Sequence, residues 1–160
     1  MRVVIIGTGY VGLTTGVALA YTGHDVTCVD KNRRIVERLS KGEATIHEPG
    51  LEELLRLAAS HLTFRTDLPQ LMGEAVVVIA VGTPSKADGD ADMAYVDAAA
   101  HDLAERVEPG ANLVVVNKST VPIGSARHVD GILHRALRDR GVEATVHVAS
   151  NPEFLAEGRA

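Results

Sequence analysis

Val3-Val4-Ile5-Ile6-Gly7-Thr8-Gly9-Tyr10-Val11-Gly12-Leu13 is the stretch on which the fold turns. A short apolar run passes into G-x-G-x-x-G and then into residues of helical period, so the glycines stand between a buried strand and a helix. In that setting Gly7 allows the tight turn and Gly9 lets backbone N–H groups approach a pyrophosphate at the positive end of the helix. Gly12 lets the helix pack close to the sheet. The hexamer alone is a weak signal; its place after a strand and before a helix gives it meaning.

Outward from the glycine loop, short valine-rich runs alternate with longer helical segments, the rhythm of βα units around a parallel sheet. The pattern predicts six strands: Val3 to Ile6, Val26 to Val29, Leu62 to Arg65, Val76 to Val81, Leu113 to Asn117 and Thr145 to Ala149. Helices are expected at Val11 to Thr22, Arg33 to Ser40, Leu51 to Ala59, Ala94 to Val107 and Ser125 to Arg140, with a short helical turn near Pro69. Lys41 to Gly50 and Thr83 to Asp92 break the rhythm and read as loops. The fold class is α/β, a Rossmann-type doubly wound parallel sheet of about six strands in the order 3-2-1-4-5-6, with residues 1–160 as one domain.

The second expected strand ends at Asp30, 18 positions after Gly12. An acidic side chain there accepts hydrogen bonds from the adenosine ribose hydroxyls, which points to NAD. A 2′-phosphate at about 4 Å from that carboxylate would cost on the order of 4 kcal/mol at an effective dielectric of 20, so NADP is disfavoured. Lys31, Arg33 and Arg34 follow at once and are placed to soften the repulsion; the alternative for them is a solvated helix face.

Composition narrows the partners. With 16 Lys+Arg against 21 Asp+Glu and a formal charge of -5, the chain lacks the basic footprint of a nucleic-acid or anionic-membrane binder. No apolar stretch approaches the roughly 18 to 20 residues that span a bilayer. The chain has one cysteine, Cys28, and no Cys/His cluster at ligand spacing, so neither a disulfide framework nor a metal site is expected. Cys28 reads as a small core residue. The first apolar run leads straight into the glycine loop, leaving no space for a signal peptide, and a cytoplasmic location is expected.

Five further motifs carry a resemblance. They are Glu48-Pro49-Gly50-Leu51, Val81-Gly82-Thr83-Pro84, Ala91-Asp92-Met93, Asn117-Lys118-Ser119-Thr120-Val121-Pro122-Ile123-Gly124, and Asn151-Pro152-Glu153-Phe154-Leu155-Ala156-Glu157-Gly158. In this order, over the whole chain, they resemble the UDP-glucose/GDP-mannose 6-dehydrogenase family. Pro152-Glu153-Phe154 is similar to the UDP-glucose and GDP-mannose branch, whereas relatives acting on N-acetylated sugars read P-E-R there.

The resemblance implies an NAD-dependent enzyme that oxidises a sugar 6-hydroxyl to a carboxylate in two steps, through an aldehyde and a cysteine-bound thioester. It implies that Gly7, Gly9, Tyr10, Val11 and Gly12 hold the pyrophosphate and Asp30 the ribose. It adds Val81, Gly82, Thr83, Ser119 and Thr120 to the cofactor contacts, with Thr83 and Thr120 toward the nicotinamide. Glu153, Phe154, Leu155, Ala156 and Glu157 would border the sugar, with Glu157 also near the cofactor. Thr120, Glu153 and Glu157 are the catalytic candidates, Thr120 and Glu153 as groups that position or activate water. On the residues alone, Ser119 and Thr120 read equally well as a helix cap, and Pro122 and Pro152 as strand ends.

Two departures stand out. Where many members carry a basic residue five positions after the ribose-binding acid, this chain has Ile35, and Arg34 or Arg33 would have to substitute. The family also continues into a central helix and a nucleotide-sugar domain with a catalytic cysteine, which the 160 residues do not include. The resemblance thus implies a chain that binds NAD without turnover, from a homo-oligomeric protein acting on UDP-glucose or a related nucleotide sugar. GDP-mannose is the alternative. An NAD-dependent β-hydroxyacid dehydrogenase domain and a non-catalytic nucleotide-sensing module share the glycine loop, but neither explains Lys118 to Gly124 or Pro152 to Gly158.

Overall fold

A computed structural model describes residues 1–160 except Asp88, Glu153, Ala156, Glu157, Arg159 and Ala160. Six strands, β1 (Arg2–Ile6), β2 (Asp25–Val29), β3 (Leu62–Arg65), β4 (Glu74–Ile79), β5 (Asn112–Asn117) and β6 (Thr145–Ser150), form one sheet in the order β3-β2-β1-β4-β5-β6. Every neighbouring pair is parallel, as the valine-rich runs predict. Five α-helices connect them: α1 (Tyr10–Tyr21), α2 (Arg33–Ser40), α3 (Leu51–Leu57), α4 (Ala94–Arg106) and α5 (Ser125–Asp139).

The two sheet faces are covered by different chemistry. On one, α4 and α5 press Val96, Ala99, Leu103, Val129, Leu133 and Leu137 onto Val77, Ile79, Leu113 and Val115. The three residues Val129, Leu133 and Leu137 recur every fourth position and so form one stripe of α5. A fully buried side chain such as Leu133 contributes about 1.5–3 kcal/mol by leaving water. On the other face α1 buries Gly12, Leu13, Gly16, Val17 and Ala20. Its small residues bring the helix backbone close: a Cβ on Gly16 would lie 2.6 Å from the Sγ of Cys28 in β2.

Three local readings need correction. The fourth strand ends at Ile79, not Val81: the Ile79 carbonyl accepts from Lys118 N and Ser119 N at 2.8 and 3.2 Å, and two residues on the Val81 carbonyl is taken by the Ser119 side chain. No helical turn forms at Pro69. Leu71 instead donates to the Arg106 carbonyl (2.8 Å) and accepts from Glu108 N (2.9 Å), so backbone satisfaction comes from the end of α4. The third helix stops at Leu57 and a single 3-10 turn, Ala59–His61, carries the chain into β3.

Candidate functional site

The order of the strands places the site. From β1 the chain runs outward to β2 and β3, then crosses to β4 on the other side of β1, so the loops after β1 and β4 part and leave a crevice at the strand carboxyl ends. A cleft of about 790 Å³ opens there, lined by Ile6 to Gly9, Val29 to Lys31, Thr66 to Leu68, Ala80 to Gly82 and one face of α4. Another depression, of about 840 Å³, lies between α2, α3 and β3. It contains none of the glycine-loop residues, whereas Gly7, Gly9 and Asp30 line the crevice.

The glycine loop is built by contacts only glycine permits. Gly7 has φ +98°, and a Cβ on it would fall 2.5 Å from the Ala80 carbonyl oxygen. A Cβ on Gly12 would fall 1.9 Å from the Gly7 oxygen, whereas one on Gly9 would meet nothing within 4 Å. Gly7 and Gly12 are therefore required by packing; Gly9 keeps space open above the first turn of α1. That turn has no side-chain cap and no acidic residue, which suits the helix end to an anion.

Asp30 stands at the end of β2, half-buried at the lip of the cleft. Its Oδ2 accepts from Thr8 N at 3.0 Å and from Thr8 Oγ1 at 2.7 Å, and its Oδ1 accepts from Asn32 N at 2.8 Å. Of the bases that follow, Lys31 pairs with Asp102 of α4 (2.9 Å) and Arg33 with Glu37 (3.1 Å). Arg34 is exposed on α2, off the lining of the cleft.

On the far side, two side chains tie the loops after β4 and β5 together. Ser119 Oγ donates to the Val81 carbonyl (2.8 Å) and Thr83 Oγ1 to the Thr120 carbonyl (2.8 Å). Val81 and Gly82 line the cleft; Thr83, Ser119 and Thr120 stand beside it on these loops. The Thr83 to Asp92 loop is a small hairpin, closed by a Ser85 to Ala91 bridge. Phe154 is 95% exposed beyond the end of β6. Glu153, Ala156 and Glu157 lie outside the described residues.

The structure also brings forward residues that sequence reasoning missed. Thr8, 2% exposed, is the partner of Asp30. Tyr95, Ala98, Ala99, Asp102 and Arg106 turn one face of α4 to the cleft; their helical spacing was a readable signal. Glu48 accepts on Oε1 from the Tyr10 hydroxyl and from Gly158 N, joining the glycine-loop helix to the last motif. Asn117, 1% exposed, leaves both side-chain amide atoms without a partner. Cys28 is 0% exposed beneath α1, and burial pushes its thiol up to about 12, which agrees with a core residue and not a nucleophile.

A strand, a strained glycine turn and an uncapped helix, with an acid at the end of the neighbouring strand, define a Rossmann-type dinucleotide-binding domain. Among the described residues no helix is long and apolar enough to cross a membrane, and no cluster suits a metal ion.

The chain belongs to the UDP-glucose/GDP-mannose dehydrogenase family and is its NAD-binding domain, whose family model matches residues 1–160. It is 48% identical to a UDP-glucose 6-dehydrogenase of Pseudomonas aeruginosa, with all of this chain aligned to 36% of that protein. The solved UDP-glucose dehydrogenase of Pyrobaculum islandicum superposes with a TM-score of 0.82 at 40% identity, covering 99% of this chain and 37% of that one. GDP-mannose dehydrogenase from Pseudomonas aeruginosa, solved as a ternary complex, gives 0.84 at 31% identity, with 99% and 37% covered. The chain thus spans about a third of the length of the relatives it matches.

Proposed function

We propose that this domain holds NAD in the β1/β4 crevice and forms one wall of a nucleotide-sugar site in a UDP-glucose 6-dehydrogenase. The observation that carries the cofactor geometry is Asp30, fixed by three hydrogen bonds at the cleft lip beside a glycine loop whose Gly9 leaves room for a pyrophosphate. Bound NAD supplies the hydride acceptor. The chain's own part is to seat it: N–H groups of the first turn of α1 face the pyrophosphate, Asp30 accepts from the adenosine ribose, and Val81, Gly82, Thr83, Ser119 and Thr120 border the nicotinamide end.

In the complete enzyme the sugar 6-hydroxyl is oxidised twice, through an aldehyde and a cysteine thioester that water hydrolyses. Thr120 and Glu153 position or deprotonate that water, while Glu153 to Glu157 border the sugar. The nucleophile is not Cys28, whose thiol is buried beneath α1 and protonated at neutral pH. UDP-glucose is favoured over GDP-mannose by the 48% identity to a protein named for the former. The central helix and sugar-binding domain of the resemblance complete a cytoplasmic homo-oligomer.

The test is titration calorimetry on the 160-residue chain, followed by a search for turnover. NAD is expected to bind more tightly than NADP, Asp30→Ala to weaken NAD, and UDP-glucose with NAD to yield no NADH. Equal affinity for the two cofactors, or steady NADH production, refutes the corresponding part of the reading.

A further inference from the structure

The carboxylate of Asp30 already accepts three hydrogen bonds from within the chain. A carboxylate offers about four lone-pair sites on two oxygens. In this chain Oδ2 takes two donors from one residue, Thr8 N at 3.0 Å and Thr8 Oγ1 at 2.7 Å, and Oδ1 takes Asn32 N at 2.8 Å. One acceptor position remains, and it is on Oδ1. Thr8 is 2% exposed while Asp30 is half-buried, so the Oδ2 side is anchored in the interior and the Oδ1 side is the one left for a ligand. An O–H donor at 2.7 Å to an ionised oxygen is a strong, charge-assisted bond, able to hold the carboxylate in one rotamer.

Two consequences follow. With one acceptor left, Asp30 can serve only one of the two hydroxyls of a ribose. Its negative charge is also held at the cleft lip, and of the bases that follow, Lys31 is paired with Asp102 and Arg33 with Glu37, while Arg34 is exposed on α2, off the lining of the cleft.

We propose that Thr8 is a positioning residue for cofactor selectivity: its buried hydroxyl and amide lock Oδ2 of Asp30 and present Oδ1 as the single acceptor for the adenosine ribose. This rests on the reading that Asp30 meets the ribose. Thr8→Val keeps the side-chain size and the backbone N–H but removes the hydroxyl. The carboxylate, then held only by the backbone N–H groups of residue 8 and Asn32, is fixed less closely, which weakens NAD and relieves repulsion of a 2′-phosphate.

The experiment is calorimetric titration of NAD and of NADP into the parent chain, Thr8→Val, Thr8→Ser, Thr8→Ala, Asp30→Ala and the double variant Thr8→Val/Asp30→Ala. Melting curves confirm that each is folded, and Thr8→Ala replaces Thr8→Val should the latter fail to fold. Thr8→Val is expected to raise the Kd for NAD about tenfold while changing NADP less, so that the preference for NAD narrows. Thr8→Ser, which restores the hydroxyl, should lie within about threefold of the parent. In the Asp30→Ala background the Thr8→Val effect should vanish. Equal loss of both cofactors with no rescue by serine overturns the proposal and leaves Thr8 a packing residue. If Asp30→Ala itself leaves NAD affinity unchanged, the ribose reading fails, whatever Thr8 does.

Discussion

Replacing Gly16 by alanine tests how tightly α1, and with it the glycine loop, is seated. A Cβ at this position would stand 2.6 Å from Cys28 Sγ, 3.4 Å from Ile5 Cγ1 and 3.7 Å from Val26 Cγ1. The last two are ordinary contacts; the first is short by about 1 Å of normal packing distance. Cys28 and Ile5 are 0% exposed and Val26 is 2% exposed, so the sulfur has nowhere to retreat. Overpacking of this kind costs about 1–3 kcal/mol, and the short contact puts it near the upper end. The alanine recovers about 1 kcal/mol of helix propensity, leaving a net loss of about 2 kcal/mol. For a chain of this length that lowers Tm by roughly 4–8 °C. In a Cys28→Ala background the sulfur is gone, the new methyl refills the space, and Gly16→Ala should now stabilise by about 1 kcal/mol. The coupling in the double-mutant cycle is therefore about 3 kcal/mol, read from urea unfolding of the four proteins. If Gly16→Ala has the same sign in both backgrounds, the close seat of α1 on β2 is wrong.

Two further outcomes follow from the same packing. The folded Cys28 thiol is pushed up to about 12 from an ordinary 9.0, so between those values the unfolded chain has lost a proton that the folded chain keeps. This contribution is fully present below pH 9 and falls by about 1.4 kcal/mol per pH unit above it; the difference between parent and Cys28→Ala in urea unfolding from pH 8 to 10.5 should show that slope, and its absence refutes the buried thiol. Gly12→Ala drives a Cβ to 1.9 Å from the Gly7 carbonyl oxygen, which is backbone and cannot rotate aside. Stability should fall by about 3 kcal/mol and NAD binding should be lost with it, measured by melting and calorimetry; an unchanged Tm would refute the close contact.

Legibility in the sequence divided along the range of the interactions. The strands were readable because Val3 to Ile6 and Val76 to Ile79 are continuous apolar runs buried on both faces, and the glycine turn because the first of them leads into it. Where a distant partner decides the local conformation, the reading failed. Val81 looks like the end of a strand, yet its carbonyl accepts from Ser119, 38 residues away. Pro69 invites a turn, but Leu71 on its far side is captured by Arg106 and Glu108. Thr8 is an unremarked residue between two glycines, and only its 22-residue separation from Asp30, closed in space by the β1–β2 pairing, makes it a partner. The Glu48 contact with Gly158 spans 110 residues and has no local signature at all.

The two halves of the crevice are held by different means, and this bears on what each can do. On the β2 side the loop after β1 is fixed by close backbone approach, with Gly7 and Gly12 admitting no side chain, and by the Thr8 clasp on Asp30. Such a surface is preorganised, because little remains to be ordered on binding. On the β5 side the loops beyond the Ile79 contacts are tied by side-chain bonds, Ser119 to Val81 and Thr83 to Thr120. Beyond them stand apolar side chains in water: Ile123 is fully exposed and Phe154 is 95% exposed. Large apolar groups at a strand end gain when another surface covers them, by about 25 cal/mol for each Å² removed from water. The crevice therefore has one wall fixed by close backbone approach and another whose exposed side chains gain when a surface covers them, and the two meet at the carboxyl ends of β1 and β4.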